Sequence, residues 1–85
     1  MALQKDKTYA TGVTASYHRI TRMVSEVDAG RTLVEVGAYL DADAREAGRE
    51  TLSRTTYDLS ALDLTRPAAY ERLKQHADFD GAEDI

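Results

Sequence analysis

The chain has 85 residues, with 15 acidic and 11 basic side chains, one proline and neither cysteine nor tryptophan. A chain of this length forms at most one domain, and it buries only about 60% of the surface that its unfolded form exposes. Without cysteine it has neither disulfides nor thiolate zinc sites, so stability must come from an economical core, a partner surface or self-association. The length also argues against an enzyme with a deep, walled-off pocket.

The net charge of −4 is concentrated at the C-terminus. The acidic tail, residues 78–85, carries Asp78, Asp80, Glu83 and Asp84 without any basic residue, whereas the rest of the chain has equal numbers of acids and bases. DNA and anionic membranes are bound largely through clusters of Lys and Arg, and the sequence has none. No apolar run is long enough to span a bilayer, and the N-terminus lacks the apolar stretch of a signal peptide. We therefore expect a protein made in a cytoplasm that binds neither nucleic acid nor membrane.

Residues 7–59 have the composition of β-strands, rich in Thr, Val, Tyr, Ile and Leu, with glycines where the chain can turn. A short first strand is predicted over about residues 7–10. Gly12 tolerates the positive φ of a tight connection, so we expect this strand to pair with the next as a hairpin.

The second strand candidate covers about residues 13–27, and along its length the apolar residues switch from odd-numbered to even-numbered positions. Apolar side chains before and after its middle point to opposite faces, so an unbroken strand would leave half of them in water. The pattern predicts either a β-bulge near His18 and Arg19, which restores one apolar face in a curved sheet, or two separate strands with a short break.

Two more strands follow along the chain. Residues 28–31 form a turn, and residues 32–40 alternate apolar and polar side chains more strictly than any other segment, so they are predicted to pair with residues 16–27. Residues 51–59 contain three threonines and Tyr57 but little apolar content. Such a strand belongs at a sheet edge or against a neighbouring subunit.

The charged arm, residues 41–50, is rich in alanine, aspartate, glutamate and arginine. It is either an exposed arm or one helical turn. In the second case Asp41 or Asp43 caps the turn at its N-terminus, and Gly48 ends it.

Residues 65–77 are predicted to form an amphipathic helix that packs on the sheet. Thr65 can cap it, and Pro67 is tolerated in the first turn because its missing N–H has no partner within the helix. The sequence therefore predicts one domain over residues 1–85. Its fold class is α+β, mainly β, with a small curved antiparallel sheet of about four strands and one C-terminal helix.

No set of residues points to catalysis, a cofactor or a metal. His18 and His76 are the only histidines, and neither has a second histidine at the spacing of three or four that helical metal ligands need. The carboxylates of residues 78–81 begin like a calcium loop, but the chain ends too soon to complete one. We assign no catalytic, cofactor-binding or metal-binding residue.

Two segments of the sequence are distinctive together: Tyr-His-Arg-Ile at residues 17–20 and the ending Phe-Asp-Gly-Ala-Glu-Asp at residues 79–84. Further characteristic segments are residues 1–3, 12–13, 34–40 and 69–74. In these segments, over nearly the whole chain and in the same order, the sequence resembles a family of small proteins encoded in tailed bacteriophages and prophages, among the genes of the tail and tail-fibre region.

The resemblance implies a non-enzymatic virion protein, in the tail tip, baseplate or tail-fibre attachment, with other phage structural proteins as partners. Small chains build such structures as closed rings, so we expect a homo-oligomer, a trimer or hexamer. Tyrosine combines apolar area with a polar tip, and we assign Tyr17, His18, Tyr39 and Tyr57 to interfaces. Two alternatives stay open: a capsid decoration or head-to-tail joining protein, and a non-virion assembly chaperone or host-protein inhibitor.

Overall fold

Alternation of apolar and polar residues builds the centre of the sheet. In the computed structural model, which describes residues 2–9, 12–48 and 51–85, strand β2 (Thr14–Glu26) pairs antiparallel with β3 (Arg31–Tyr39). Gly30, with φ of 66°, adopts the left-handed conformation in the four-residue turn between them. This is the hairpin that the sequence predicts with most support.

The remaining strands complete one five-stranded antiparallel sheet. Strands β1 (Leu3–Thr8), β4 (Ser53–Asp58) and β5 (Glu83–Asp84) give the order β4-β3-β2-β1-β5. The predicted class, α+β and mainly β, is confirmed, with five strands where the sequence predicts about four. β4 lies at an edge, as its thin apolar content predicts.

The β-bulge of the second strand is present, two residues later than predicted. β2 is one continuous strand whose register against β3 shifts between Ile20 and Arg22. Before the shift Ile20 lies opposite Val36, and after it Met23 lies opposite Val34. His18 and Ile20 are both buried and two residues apart, so alternation holds across the predicted position, and the shift against β3 comes after Ile20.

The two ends of the chain differ from the prediction. β1 begins at Leu3 and not near residue 7, while Ala10, the last residue of the predicted strand, lies outside the described residues. β5 is unpredicted, and it pairs with Leu3 and Gln4 of β1. Two acidic residues carry no periodic signal, so only their backbone pairing identifies them as a strand.

Of the two alternatives for the charged arm, the structure contains the helical turn. Helix α1 (Ala42–Glu46) begins after Asp41, whose Oδ1 accepts a hydrogen bond of 2.8 Å from the Ala44 backbone N–H. Gly48, with φ of 72°, follows the helix in the left-handed conformation. Residues 49 and 50 of the arm lie outside the described part of the chain.

The C-terminal helix is shorter than the predicted residues 65–77. Helix α2 (Arg66–Leu73) follows Thr65, whose hydroxyl accepts a hydrogen bond from the Ala68 N–H at 3.3 Å. A separate 3-10 turn (Ala77–Phe79) then lies after His76, and His76 Nδ1 accepts from the Asp78 N–H. This second cap ends the helical path and directs Phe79 into the core.

The core lies between α2 and one face of the sheet, called here the inner face. Alternate residues of the central strands, such as Val34 and Val36, supply the sheet side. No buried side-chain nitrogen or oxygen in the described residues lacks a hydrogen-bond partner. The core cluster contains Leu3, Ile20, Val34, Val36, Tyr57, Leu59, Ala69, Tyr70, Leu73 and Phe79.

We expect Tyr70→Phe to lower the free energy of unfolding by about 1–3 kcal/mol, because it leaves a buried N–H without its acceptor. The backbone N–H of Ile20 donates to the Tyr70 hydroxyl at 2.8 Å, beside the bulge. Chemical denaturation followed by circular dichroism measures the loss. Tyr39→Phe, on the opposite face of the sheet, is the matched control, and equal losses for both variants would contradict this role.

Candidate protein interface

The sheet has a second face, opposite α2, and we call it the open face. Since Val34, Val36 and Ala38 point into the core, the alternate residues of β3 point to the other side. The register of β2 and β4 against β3 adds their outward-facing residues. The open face is formed by Tyr17, Arg19, Arg22, Val24, Glu26, Leu33, Glu35, Gly37, Tyr39, Arg54, Thr56 and Asp58.

Two of the four predicted interface residues meet on this open face. Tyr17 and Tyr39 are cross-strand neighbours, half-buried, with ring centroids 5.9 Å apart and planes at 73°. In such an edge-to-face pair each ring fixes the orientation of the other, and both rings stay partly accessible to a binding partner. The Thr51 methyl group lies against Gly37 beside this pair, so that a Cβ on Gly37 would come within 2.9 Å of it.

The other end of the open face combines apolar and charged side chains. Val24 is 37% exposed and Leu33 is half-buried, and both line a shallow, open depression with Thr56. Charged residues from β2, β3 and β4 surround it. An apolar centre with a charged rim is the usual composition of a protein interface.

Ion pairs cross the strands of this end. Arg31 Nε donates to Glu26 Oε1 at 2.7 Å, and its Nη1 lies 3.4 Å from Asp58 Oδ2. Arg54 Nε is 4.0 Å from Glu35 Oε1, the longest ion pair on this face. The hydrogen bond that Arg31 donates to Glu26 raises the pKa of Arg31, so this guanidinium stays charged.

The other two predicted interface residues lie in the interior. His18 is 1% exposed and Tyr57 is 7% exposed, and the rings of both contact Phe79 edge to face. His18 Nε2 lies 2.7 Å from the carbonyl oxygen of Lys5, and since a carbonyl only accepts, this nitrogen carries the proton. We therefore retain only Tyr17 and Tyr39 in the candidate interface.

A polar cluster ties the 3-10 turn to the sheet. Asp78 Oδ2 accepts from the Tyr57 hydroxyl at 2.9 Å and from Lys7 Nζ at 3.1 Å. Burial opposes the charge of Lys7, but its hydrogen bonds to Asp78 and Tyr57 outweigh that effect and raise its pKa. The same bonds, from Lys7 first and Tyr57 second, lower the pKa of Asp78. Each group keeps its ordinary neutral-pH protonation state, as in an ion pair that fastens two elements together.

We expect Tyr57 to ionise only near pH 12. Burial first, and the hydrogen bond to Asp78 second, raise its pKa from 10.0 to about 12. The folded-state pKa lies above the unfolded value, so this stabilisation is complete below pH 10 and is lost as the pH rises through 12. An alkaline titration of tyrosinate absorbance should show late ionisation that loses the amplitude of one tyrosine in Tyr57→Phe. The remaining late signal belongs to Tyr70, whose pKa is also raised by burial. A variant titration identical to that of the native chain would contradict the assignment.

The sequence does not reveal most of the open face. Alternation over residues 32–40 places Glu35 and Tyr39 opposite the core, and that signal identifies the β3 part. The bulge hides the β2 part, because the position of the register shift decides which of Arg22 and Met23 points outward.

Residues 2–9, 12–48 and 51–85 contain no group of three or more His, Cys, Asp or Glu side chains arranged to hold a metal ion. None of their helices is sufficiently long and apolar to cross a membrane. In comparisons with known proteins, the chain matches no protein-family model, no curated protein and no solved structure.

Proposed function

We propose that this chain is a non-enzymatic structural protein of a tailed-phage virion that works through protein–protein interfaces. Within the particle it is a tail-tip, baseplate or tail-fibre-attachment component. It contacts other phage structural proteins and copies of itself. The observation that carries the interface role is the open face, where one side of the sheet is left accessible while α2 covers the other. The phage setting is supported by the sequence resemblance.

The composition of the open face favours a protein partner. Its aromatic pair and its exposed valine provide apolar area, and the surrounding Arg, Glu and Asp side chains provide directional contacts. A domain of this length buries a smaller fraction of its surface on folding than a large domain does, so burial in an interface adds proportionally more to its stability.

Mass spectrometry of purified particles from the phage or prophage that encodes the chain tests the setting. A virion component is expected at a fixed copy number per particle, on the tail axis when located by labelled antibody or electron microscopy. Location on the capsid surface or at the head-to-tail junction would indicate the decoration or joining alternative. Presence in the infected cell but not in particles would overturn the virion role and favour the chaperone or inhibitor.

We expect the double change Tyr17→Ser and Tyr39→Ser to reduce incorporation into particles at least about tenfold, as removal of aromatic anchors does in other interfaces. The circular dichroism spectrum should be retained, because both rings lie on the accessible side of the sheet. Arg72→Ser, on the exposed side of α2, is the control. Undiminished incorporation of the double variant would show that the open face does not make the contact.

A further inference from the structure

The two edges of the sheet differ in how many of their backbone groups are paired. The β1 edge is covered at its start, where β5 pairs with Leu3 and Gln4, and side-chain contacts from Lys5 to the Asp80 carbonyl oxygen and from Lys7 to Asp78 hold the C-terminal segment beside it. At the other edge, β4 pairs with β3 alone among the described strands. β4 has six residues in unbroken register and contains no proline, lysine or bulge. Those devices normally prevent strand edges from pairing with other chains.

The hydrogen-bond pattern defines which residues of β4 face outward along this edge. The Leu59 N–H donates to the Thr32 carbonyl at 3.0 Å, in the same register as the β3–β4 ladder. Because direction alternates along a strand, the backbone groups of Ser53, Thr55 and Tyr57 also point toward β3. The backbone N–H and C=O groups of the residues between them, Arg54, Thr56 and Asp58, therefore point away from the sheet.

The charges of β4 are self-complementary about Thr56. If two copies of β4 pair antiparallel with Thr56 opposite itself, Arg54 of each copy lies opposite Asp58 of the other. Both side chains are exposed, and their ion pairs within the chain are long, at 4.0 Å to Glu35 and 3.4 Å from Arg31. A shift by two residues in either direction loses both charge pairs, so the charges select one register.

A ring built by pairing β4 with the opposite edge of another copy is less favoured. β5 offers only two residues, Glu83 and Asp84, and the covered part of β1 offers none of its backbone groups freely. Pairing of β4 with itself matches three outward-facing residues on each copy, which corresponds to six backbone hydrogen bonds.

We propose that β4 is a homodimerisation edge, and that its partner is β4 of a second copy, paired antiparallel about Thr56 in a continuous ten-stranded sheet. Of the trimer and hexamer expected from the sequence, only the hexamer, as three such pairs, is compatible with this contact. The function of this contact rests on the proposed role in assembly. The geometry of the contact does not depend on the phage setting.

A charge-exchange series tests the contact, with mass measured by light scattering or sedimentation over a range of concentrations. The native chain should form a dimer or hexamer. Arg54→Glu and Asp58→Arg each place like charges opposite each other, so each should raise the dissociation constant about tenfold or more. The double variant Arg54→Asp with Asp58→Arg restores opposite charges between copies and should recover association.

Recovery of association would identify a contact between copies. Within one chain the exchange places a negative side chain beside Glu35 and a positive side chain beside Arg31, so the intrachain ion pairs cannot explain the recovery. Arg66→Glu makes the same charge change at an exposed position of α2, outside both β4 and the open face, and it should alter the dissociation constant by less than about twofold. Circular dichroism checks that every variant is folded.

Cross-linking tests the register independently of charge. The chain has no cysteine, so Thr56→Cys introduces its single thiol. In the proposed pair the two Cα atoms at this position are about 5.5 Å apart, within the range for a disulfide. Ser53→Cys is the control, because its two copies would be separated by about 20 Å. Oxidation should link the first variant and leave the second monomeric under denaturing conditions.

The outcomes separate this inference from the proposed function. A native chain that is monomeric at all concentrations, a trimer, or a charge exchange without recovery would overturn the β4 contact. None of these results affects detection of the protein in purified particles. Conversely, a β4-linked dimer that is missing from particles would keep the contact and remove the virion role.

Discussion

Phe79→Ala is expected to lower the free energy of unfolding by about 3–5 kcal/mol, the largest loss for any single substitution considered. Phe79 is fully buried, and its ring lies 5.3 Å from the His18 ring and 5.5 Å from the Tyr57 ring. Removing it opens a cavity and detaches the 3-10 turn from the sheet. Small domains have total stabilities of about 5–15 kcal/mol, so the variant should be partly unfolded at 37 °C.

Urea denaturation followed by far-ultraviolet circular dichroism measures this loss, since the chain has no tryptophan to report by fluorescence. Val27→Ala is the control, because Val27 is 74% exposed in the β2–β3 turn and its truncation should change the free energy of unfolding by less than about 0.5 kcal/mol. A loss below about 1 kcal/mol for Phe79→Ala would mean that Phe79 does not anchor the C-terminal segment.

Acidification below pH 6.5 should destabilise the protein through His18. Burial lowers the pKa of this imidazole below its ordinary 6.5, and the charge of Lys7 acts in the same direction, against the hydrogen bonds that favour protonation. Since the folded-state pKa lies below the unfolded one, stabilisation by neutral His18 is complete above pH 6.5. It is lost as the pH falls from there through the folded-state pKa, by up to about 1.4 kcal/mol per pH unit.

The free energy of unfolding measured from pH 7.5 to pH 4.5 tests this dependence, above the range in which Asp78 titrates. His18→Gln keeps a side-chain N–H for the Lys5 carbonyl and cannot become charged, so its stability should vary less over this range. An equal pH dependence in the native chain and in His18→Gln would contradict the assignment.

The sequence predicts the fold best where local patterns and packing agree. The alternation of residues 32–40 and the turn before it fix the central hairpin, because one face of β3 contacts the core along its whole length. The Thr-rich composition of residues 51–59 likewise indicates an edge. Prediction is poorest for β5, whose two residues pair only because the chain end returns to β1.

The interface assignments depend on which face a residue occupies, and composition does not contain that information. Tyr17 and His18 are neighbours in sequence, yet one faces the open side and the other faces Phe79. His18 lies opposite Leu3 of β1, and its Nε2–H donates a hydrogen bond to the Lys5 carbonyl, within the register irregularity between Gln4 and Lys7. Such long-range pairings are invisible in one sequence, so it could not be deduced which tyrosines lie on the open face.

The covering of the β1 edge limits how far copies of this chain can add to one another. Repeated edge-to-edge addition, the route to fibrils, needs two receptive edges on each unit. Here β5 occupies the start of the β1 edge, and the contacts of two lysines hold the 3-10 turn and the residue after it beside β1. Pairing of β4 with β4 would occupy the other sheet edge of both copies. The chain is thereby suited to finite assemblies at high local concentration.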